Sequence, residues 1–266
     1  MPIHVGADIK RMDDDEFKAR VYEVMRHVFD VQGELGRLFH EKIYHREIAF
    51  RIPGSRCEVA LDVQFEDFRK TYYLDLLVGG GAIFKLKAVA ALAEQHRRQL
   101  MHYLFLTDLP HGKLVNLRPG RVDHEFINNV LTRAERSDFT PIGDGWEEIE
   151  GAQLQDRMVG LLRDWGTGLD LGLYEEAAAY LCGQPPDVES DVEIRLGDRS
   201  LGVQRMRLSA PDVALKITAM TTEGQAEFHS HLERLLDHTN LRAIQWINIA
   251  RPVVRFSTIW KGKKGK

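Results

Sequence analysis

The chain has 266 residues, 44% hydrophobic and 29% charged, a composition that suits a globular protein and excludes a low-complexity or fibrous one. A net charge of −4 excludes a broadly basic surface and restricts any nucleic-acid contact to local patches. No run of about 18 apolar residues occurs, so no membrane span is expected.

The N-terminal stretch MPIHVGADIKRMDDDEF lacks the apolar core of a secretion signal. The two cysteines, Cys57 and Cys182, stand outside any CxxC or Cys/His zinc pattern, which points to a reducing, cytoplasmic setting.

Asp13, Asp14 and Asp15 suit a helix N-terminus. Phe17, Val21, Val24, Met25, Val28 and Phe29 then recur at helical spacing and predict one apolar face. QGELG reads as a break and RLFHEKIYHREI as a second helix. Strands are expected over 47–52, 58–65, 69–78 and 82–89, with Pro53-Gly54 making the first turn and GGGA the turn between the last two. LAEQHRRQLMHYLFL returns to helical spacing, and GKLVNL and RVDHEFI read as closing strands. This order predicts a mixed sheet flanked by helices.

Residues 137–153, SDFTPIGDGWEEIEGAQ, are rich in Gly and acids and read as a linker. Beyond them the pattern restarts. Leu154, Met158, Leu161 and Trp165 repeat the spacing of Val24, Val28, Val31 and Leu35 at a shift of 130 positions, as Gly166 and Tyr174 repeat Gly36 and Tyr44. Lys216 and Ala219 fall 131 positions after Lys85 and Ala88. Leu232, Leu236, Thr239, Leu241 and Asn248 fall 132 after Leu100, Leu104, Thr107, Leu109 and Asn116. The expectation is an internal duplication, with domains at 1–136 and 154–266 that can pack as a pseudo-dimer. The C-terminal KGKKGK reads as a solvated basic tail or a phosphate-binding arm.

The segments LGRLFHEKIY, YYLDLLV, AIFKLKAV, HRRQLMHYL and KLVNL together resemble the GxxExxY proteins, a branch of the PD-(D/E)xK nuclease-like superfamily. The likeness covers roughly residues 20–125, with a weaker echo over 154–257. The resemblance implies an α/β fold of two tandem nuclease-like domains, each a mixed central sheet flanked by helices. It also implies a catalytic set of Glu41, Asp75, Lys87, Gln99 and Tyr103. In an intact member Glu41, Asp75 and a further acid would hold Mg²⁺ or Mn²⁺, which activates a water against phosphate.

The pattern is broken in both copies. In the first, Leu38 holds the place of the motif glycine, and Lys85 stands where the second acid belongs, beside Asp75. The economical reading is that the Lys85 ammonium replaces the metal's charge and pairs with Asp75 or Glu41. Tyr44 and Tyr103 also read as plain core aromatics. In the second copy Leu171 replaces the motif glutamate, Met206 falls on Asp75, Thr218 on Lys87 and His231 on Gln99, so no catalytic set remains. The leading expectation is an impaired nuclease with no cofactor, binding DNA or RNA through Lys85, Lys87, Arg97, Arg98 and Lys216. The rivals are an active Mg²⁺ or Mn²⁺ nuclease, with Glu94 or Asp108 as a migrated acid, and a scaffold for protein partners.

Overall fold

The computed structural model describes residues 3–143, 145–149 and 151–262, so the basic tail from Lys263 onward lies outside the described residues. The chain divides into two compact units, Met1–Arg133 and Ala134–Lys266.

The first unit opens with strand β1 (Ile3–Val5) and helices α1 (Asp14–Leu35) and α2 (Glu41–Arg51). A meander follows: β2 (Arg56–Phe65), β3 (Phe68–Val78) and β4 (Ala82–Lys87). Helix α3 (Glu94–Thr107) then returns the chain to β5 (His111–Asn116) and β6 (Asp123–Asn128). The six strands form one sheet in sequence order, antiparallel except for β4 and β5, which α3 connects in parallel.

Helix α1 begins where the Asp13 carboxylate accepts the Glu16 backbone N–H at 2.8 Å, with three acids in the first turn to match the helix dipole. Phe17, Val21, Val24, Met25, Val28 and Val31 are buried along it. Phe29, expected among them, is 48% exposed, because its position lies past the edge of that stripe. The helix runs through Gly33 and stops at Gly36, whose φ of 72° suits glycine.

The expected strand at 47–52 is also corrected. Those residues continue α2 to Arg51, since Tyr44 and Ile48 bury one helical face and Arg51 reaches back one turn to Glu47 at 2.7 Å. The core of this unit packs α1 and α2 against Leu76, Val78, Phe84, Leu86 and Val115 of the sheet.

At the boundary lies the short helix α4 (Arg133–Ser137), and the second unit continues with β7 (Thr140–Ile142), α5 (Leu154–Trp165) and α6 (Leu171–Leu181). The hairpin β8 (Ser190–Leu196) and β9 (Arg199–Met206) forms a separate two-stranded sheet. After it come β10 (Leu208–Ala210), β11 (Val213–Thr218), α7 (Thr222–Asp237), β12 (Ala243–Ile249) and β13 (Val253–Trp260). The main sheet has the order β10-β11-β12-β13-β7, with β11 parallel to β12 and β13 parallel to β7. The segment 137–153 is therefore more than a linker: Thr140–Ile142 joins this sheet, Thr140 opposite Val253. Three residues containing a proline carry no alternation by which a strand is recognised; the edge pairing makes it one.

A tyrosine latch holds the turn before each unit's second helix. Tyr44 donates to the Gly36 carbonyl at 2.7 Å and accepts the Phe39 N–H at 3.3 Å. Tyr174 donates to the Gly166 carbonyl at 2.5 Å and accepts the Leu169 N–H at 3.1 Å. Burial pushes the Tyr174 phenol well above its usual range, so it stays a neutral donor. Tyr174→Phe leaves both backbone groups without that partner in a buried turn. It should cost about 1–3 kcal/mol per orphaned group, read as a lowered midpoint in thermal or urea unfolding.

Candidate metal centre and its lysine countercharge

Four elements of the first unit converge on one site. Strand β3 brings Asp75, and β4 brings Lys85 and Lys87, which share a face because strand side chains alternate. Helix α2 brings Glu41 and His45, and α3 brings Gln99 and Tyr103, each pair one helical turn apart. The β3–β4 register, with Leu76 opposite Phe84, continues to set Asp75 beside Lys85. Asn116, opposite Lys87 on β5, fixes the exit of β4. Its Oδ1 accepts the Val89 N–H at 3.0 Å while its Nδ2 donates to the Val89 carbonyl at 2.9 Å.

Lys85 Nζ donates to Asp75 Oδ1 at 2.7 Å, and the Leu86 backbone N–H donates to Oδ2 at 3.0 Å. Both carboxylate oxygens are thus engaged. Lys85 is buried at 5% exposure, which removes it from the phosphate-contacting role expected of it. Burial lowers its pKa, and the facing Asp75 carboxylate works against that shift. The ammonium also lies 5.4 Å from the centre of the Tyr103 ring. Burial, and then Asp75, push the Tyr103 phenol up to about 12. Gln99 Nε2 meets Tyr103 Oη at a long 3.5 Å, and Lys87 Nζ stands 3.5 Å from Glu41 Oε1.

His45 is the residue that sequence reasoning missed. Its Nε2 is buried without a hydrogen-bond partner, 3.7 Å from Glu41 Oε1 and 3.9 Å from Asp75 Oδ2. Burial lowers its pKa against the pull of Asp75 and Glu41, favouring a neutral ring. Glu41, His45 and Asp75 each offer a ligand atom, all within 4.8 Å of one another. Two ligands on one ion, with bonds of about 2.0–2.2 Å, stand about 3–4.4 Å apart, so the set needs only slight contraction. An imidazole among carboxylates suits Mn²⁺ or a later transition metal better than Mg²⁺. The signal was present as a histidine one turn after the motif glutamate.

The other expected residues lie elsewhere. Glu94 is turned to Arg97 and Arg98 at 3.7 and 3.5 Å, and Asp108 ends α3 and accepts the Arg133 N–H at 3.0 Å. Neither joins the cluster found among the described residues. Arg97 is tied by two 2.6 Å bonds to Glu125, while Arg98 stays largely exposed. Lys216 lies in the second unit, exposed on β11.

The mixed sheet, its parallel β4–β5 pair and the acidic face under α2 form a mixed α/β domain with one charged cluster. Residues 18–128, which include this whole site, match the family model described as "PD-(D/E)XK nuclease superfamily", and the match supports that superfamily for this stretch. A solved structure described as "Crystal structure of SSO0001" is similar at 19% identity with a TM-score of 0.28. The similarity covers 43% of this chain and 61% of that one. No curated protein matches the sequence.

A divalent ion at this cluster would compete with Lys85 for Asp75. At about 4 Å and an effective dielectric of about 20, a dication and an ammonium repel by about 8 kcal/mol. Lys85→Met should therefore lower stability by about 3–5 kcal/mol in chelator, because it strands a half-buried carboxylate. Mn²⁺ should restore part of the melting temperature in that variant and do little for the parent. Adding Asp75→Asn should abolish the Mn²⁺ response; differential scanning fluorimetry reads all three.

Proposed function

We propose that the protein is an impaired nuclease: its first unit holds DNA or RNA without cutting it efficiently. The Lys85–Asp75 bond at 2.7 Å carries this reading, because it seats a cation where a metal-dependent site needs an empty cluster of oxygens. Glu41, Asp75, Lys85 and Lys87 sum to zero formal charge, so the pocket is balanced without a divalent ion. Phosphate contacts fall to cations that remain exposed around it: Arg37, Lys42 and Arg46, which flank Glu41 and His45 in sequence, and Arg98 on α3. None of the first three forms an ion pair among the described residues. Among those residues no helix is long and apolar enough to cross a membrane, and neither cysteine forms a disulfide, which fits a cytoplasmic setting.

Recurrent internal contacts support reading the second unit as a degenerate copy of the first. The tyrosine latch recurs, and Asn248 clamps Met220 as Asn116 clamps Val89: Oδ1 accepts the Met220 N–H at 2.8 Å and Nδ2 donates to its carbonyl at 3.0 Å. Thr218, opposite Asn248 in the β11–β12 register, stands where Lys87 stands opposite Asn116. Its hydroxyl donates to Asn248 at 2.7 Å and accepts from the Trp246 indole at 2.8 Å, a structural use of a catalytic position.

The orphaned His45 Nε2 favours a second reading, a Mn²⁺-dependent nuclease in which His45 replaces the missing acid. Labelled single- and double-stranded DNA and RNA, incubated with Mn²⁺ and run on native and denaturing gels, separate the two. The expected result is a mobility shift without cleavage. Lys42→Glu/Arg46→Glu should weaken it at least tenfold and flatten its salt dependence. Cleavage that Asp75→Ala abolishes would establish the second reading instead. Neither shift nor cleavage at about 100 mM salt would overturn both and leave a scaffold for protein partners.

A further inference from the structure

The second unit contains a cleft of about 370 Å³, roofed by the β8–β9 hairpin and α7 and floored by β11. That volume lies within the about 300–1,000 Å³ typical of small-molecule sites. Lys216 opens onto it from a central strand whose other residues are all buried. Among the described residues this ammonium has no hydrogen bond and no ion pair, and it is the one exposed side chain of β11. Arg207 lines the same cleft, and its Nε is buried without a hydrogen-bond partner; the nearest acid, Glu175, is 3.9 Å away. Arg205 and His231 add two further positive or protonatable groups.

Two acids share the cleft. Glu189 is 3.8 Å from Arg205. Burial holds the Glu175 carboxyl above its usual range, although Lys216 and Arg207 pull it down. The α7 side is mostly apolar: Phe228, Leu232 and Leu235, with His231 among them and Ile244 of β12 beside them, and Phe228 is only partly covered. Cations on one side and an aromatic-aliphatic wall on the other ask for a ligand divided the same way.

We infer that this cleft binds a phosphomonoester carried on a flat apolar body, a nucleoside monophosphate or the phosphorylated end of a strand. The phosphate lies against Lys216 and Arg207, where a charge of about −1.5 to −2 finds the unbonded Lys216 ammonium and a guanidinium already anchored through Nη1 on the Pro186 carbonyl. The base lies on Phe228 and the aliphatic wall, where stacking tolerates any base. The inference stands on the second unit's own residues and does not require the first unit's site to hold nucleic acid.

Isothermal titration calorimetry on the full chain tests it with adenosine 5′-monophosphate, adenosine, inorganic phosphate, and an oligonucleotide with and without a 5′-phosphate. One nucleotide should bind per chain, and Lys216→Glu should weaken it at least tenfold without moving the melting temperature, since that side chain is exposed. Lys216→Arg should keep most of the affinity. Tighter binding of the 5′-phosphorylated oligonucleotide assigns a strand end as the natural ligand, and tighter binding of the free nucleotide assigns a metabolite; either supports the site. No heat with nucleotide at millimolar concentration, or an affinity indifferent to Lys216→Glu, would overturn it. Inorganic phosphate or adenosine binding as tightly as the nucleotide would overturn the two-part ligand.

Discussion

The first unit's site depends on one ion pair. Lys85 and Asp75 face each other across β3 and β4 at 2.7 Å, and the remaining carboxylate oxygen is held by the Leu86 backbone. Taking two charges out of water costs several kcal/mol per ion, repaid only when geometry is good and further hydrogen bonds complete the set. Asp75 meets both conditions. Asp75 in particular colours the groups near it: after the larger effect of burial, its carboxylate opposes the lowering of the His45 and Lys85 pKa values and helps raise that of Tyr103, while Lys85 adds to the lowering at His45. An ion entering this site must either expel a hydrogen-bonded ammonium or share a carboxylate with it. Within the described site, His45 Nε2 is a buried atom without a hydrogen-bond partner.

The frame around the site is built from interactions insulated from its chemistry. Tyr44 locks the turn that delivers α2, and with it Glu41 and His45, to the sheet. Asn116 locks the exit of β4 just beyond Lys87. Neither contact involves a titrating charge, and each satisfies backbone groups that would otherwise be orphaned at the end of an element. Such contacts are retained by packing alone. The same pair recurs in the second unit, at Tyr174 and Asn248, where the acids and Lys87 have no counterpart. The contacts that hold the fold and the charged groups of the site are separable in this chain because different residues carry them.

Much of the first unit was legible in its sequence. The α1 stripe, the β2–β4 meander and the return of α3 follow from periodicity, whereas the grouping of Glu41, Asp75, Lys87, Gln99 and Tyr103, and the pairing of Lys85 with Asp75 or Glu41, are expectations that rest on the family resemblance. What escaped needed tertiary information. Residues 48–50, Ile-Ala-Phe, form a short apolar run that passes for a buried strand, and only the burial of Tyr44 and Ile48 on one helical face decides for α2. Thr140–Ile142 is a strand because β13 offers it an edge. His45 resembled ten other histidines until α2 turned it toward Asp75. A cleft is a place where side chains are missing, and no residue pattern announces a void.

The contrast between Lys85 and Lys216 ties these points together. Each sits inside a sheet on a strand that pairs in parallel with the next, among residues that are nearly all buried. Lys85 is covered because Asp75 neutralises it. At the end of β9, on the wall of the second unit's cleft, the chain offers Met206 instead of an acid. An unpaired ammonium cannot be enclosed without a cost of many kcal/mol or the loss of its proton. Lys216 must therefore stay in contact with water, and the space above it cannot close. With no carboxylate opposite it on β9, Lys216 holds open a cleft whose lining includes the apolar side chains of Phe228, Leu235 and Ile244. That combination, a solvated cation at the foot of an apolar wall, is poor as a core and well suited to an anion with a hydrophobic body.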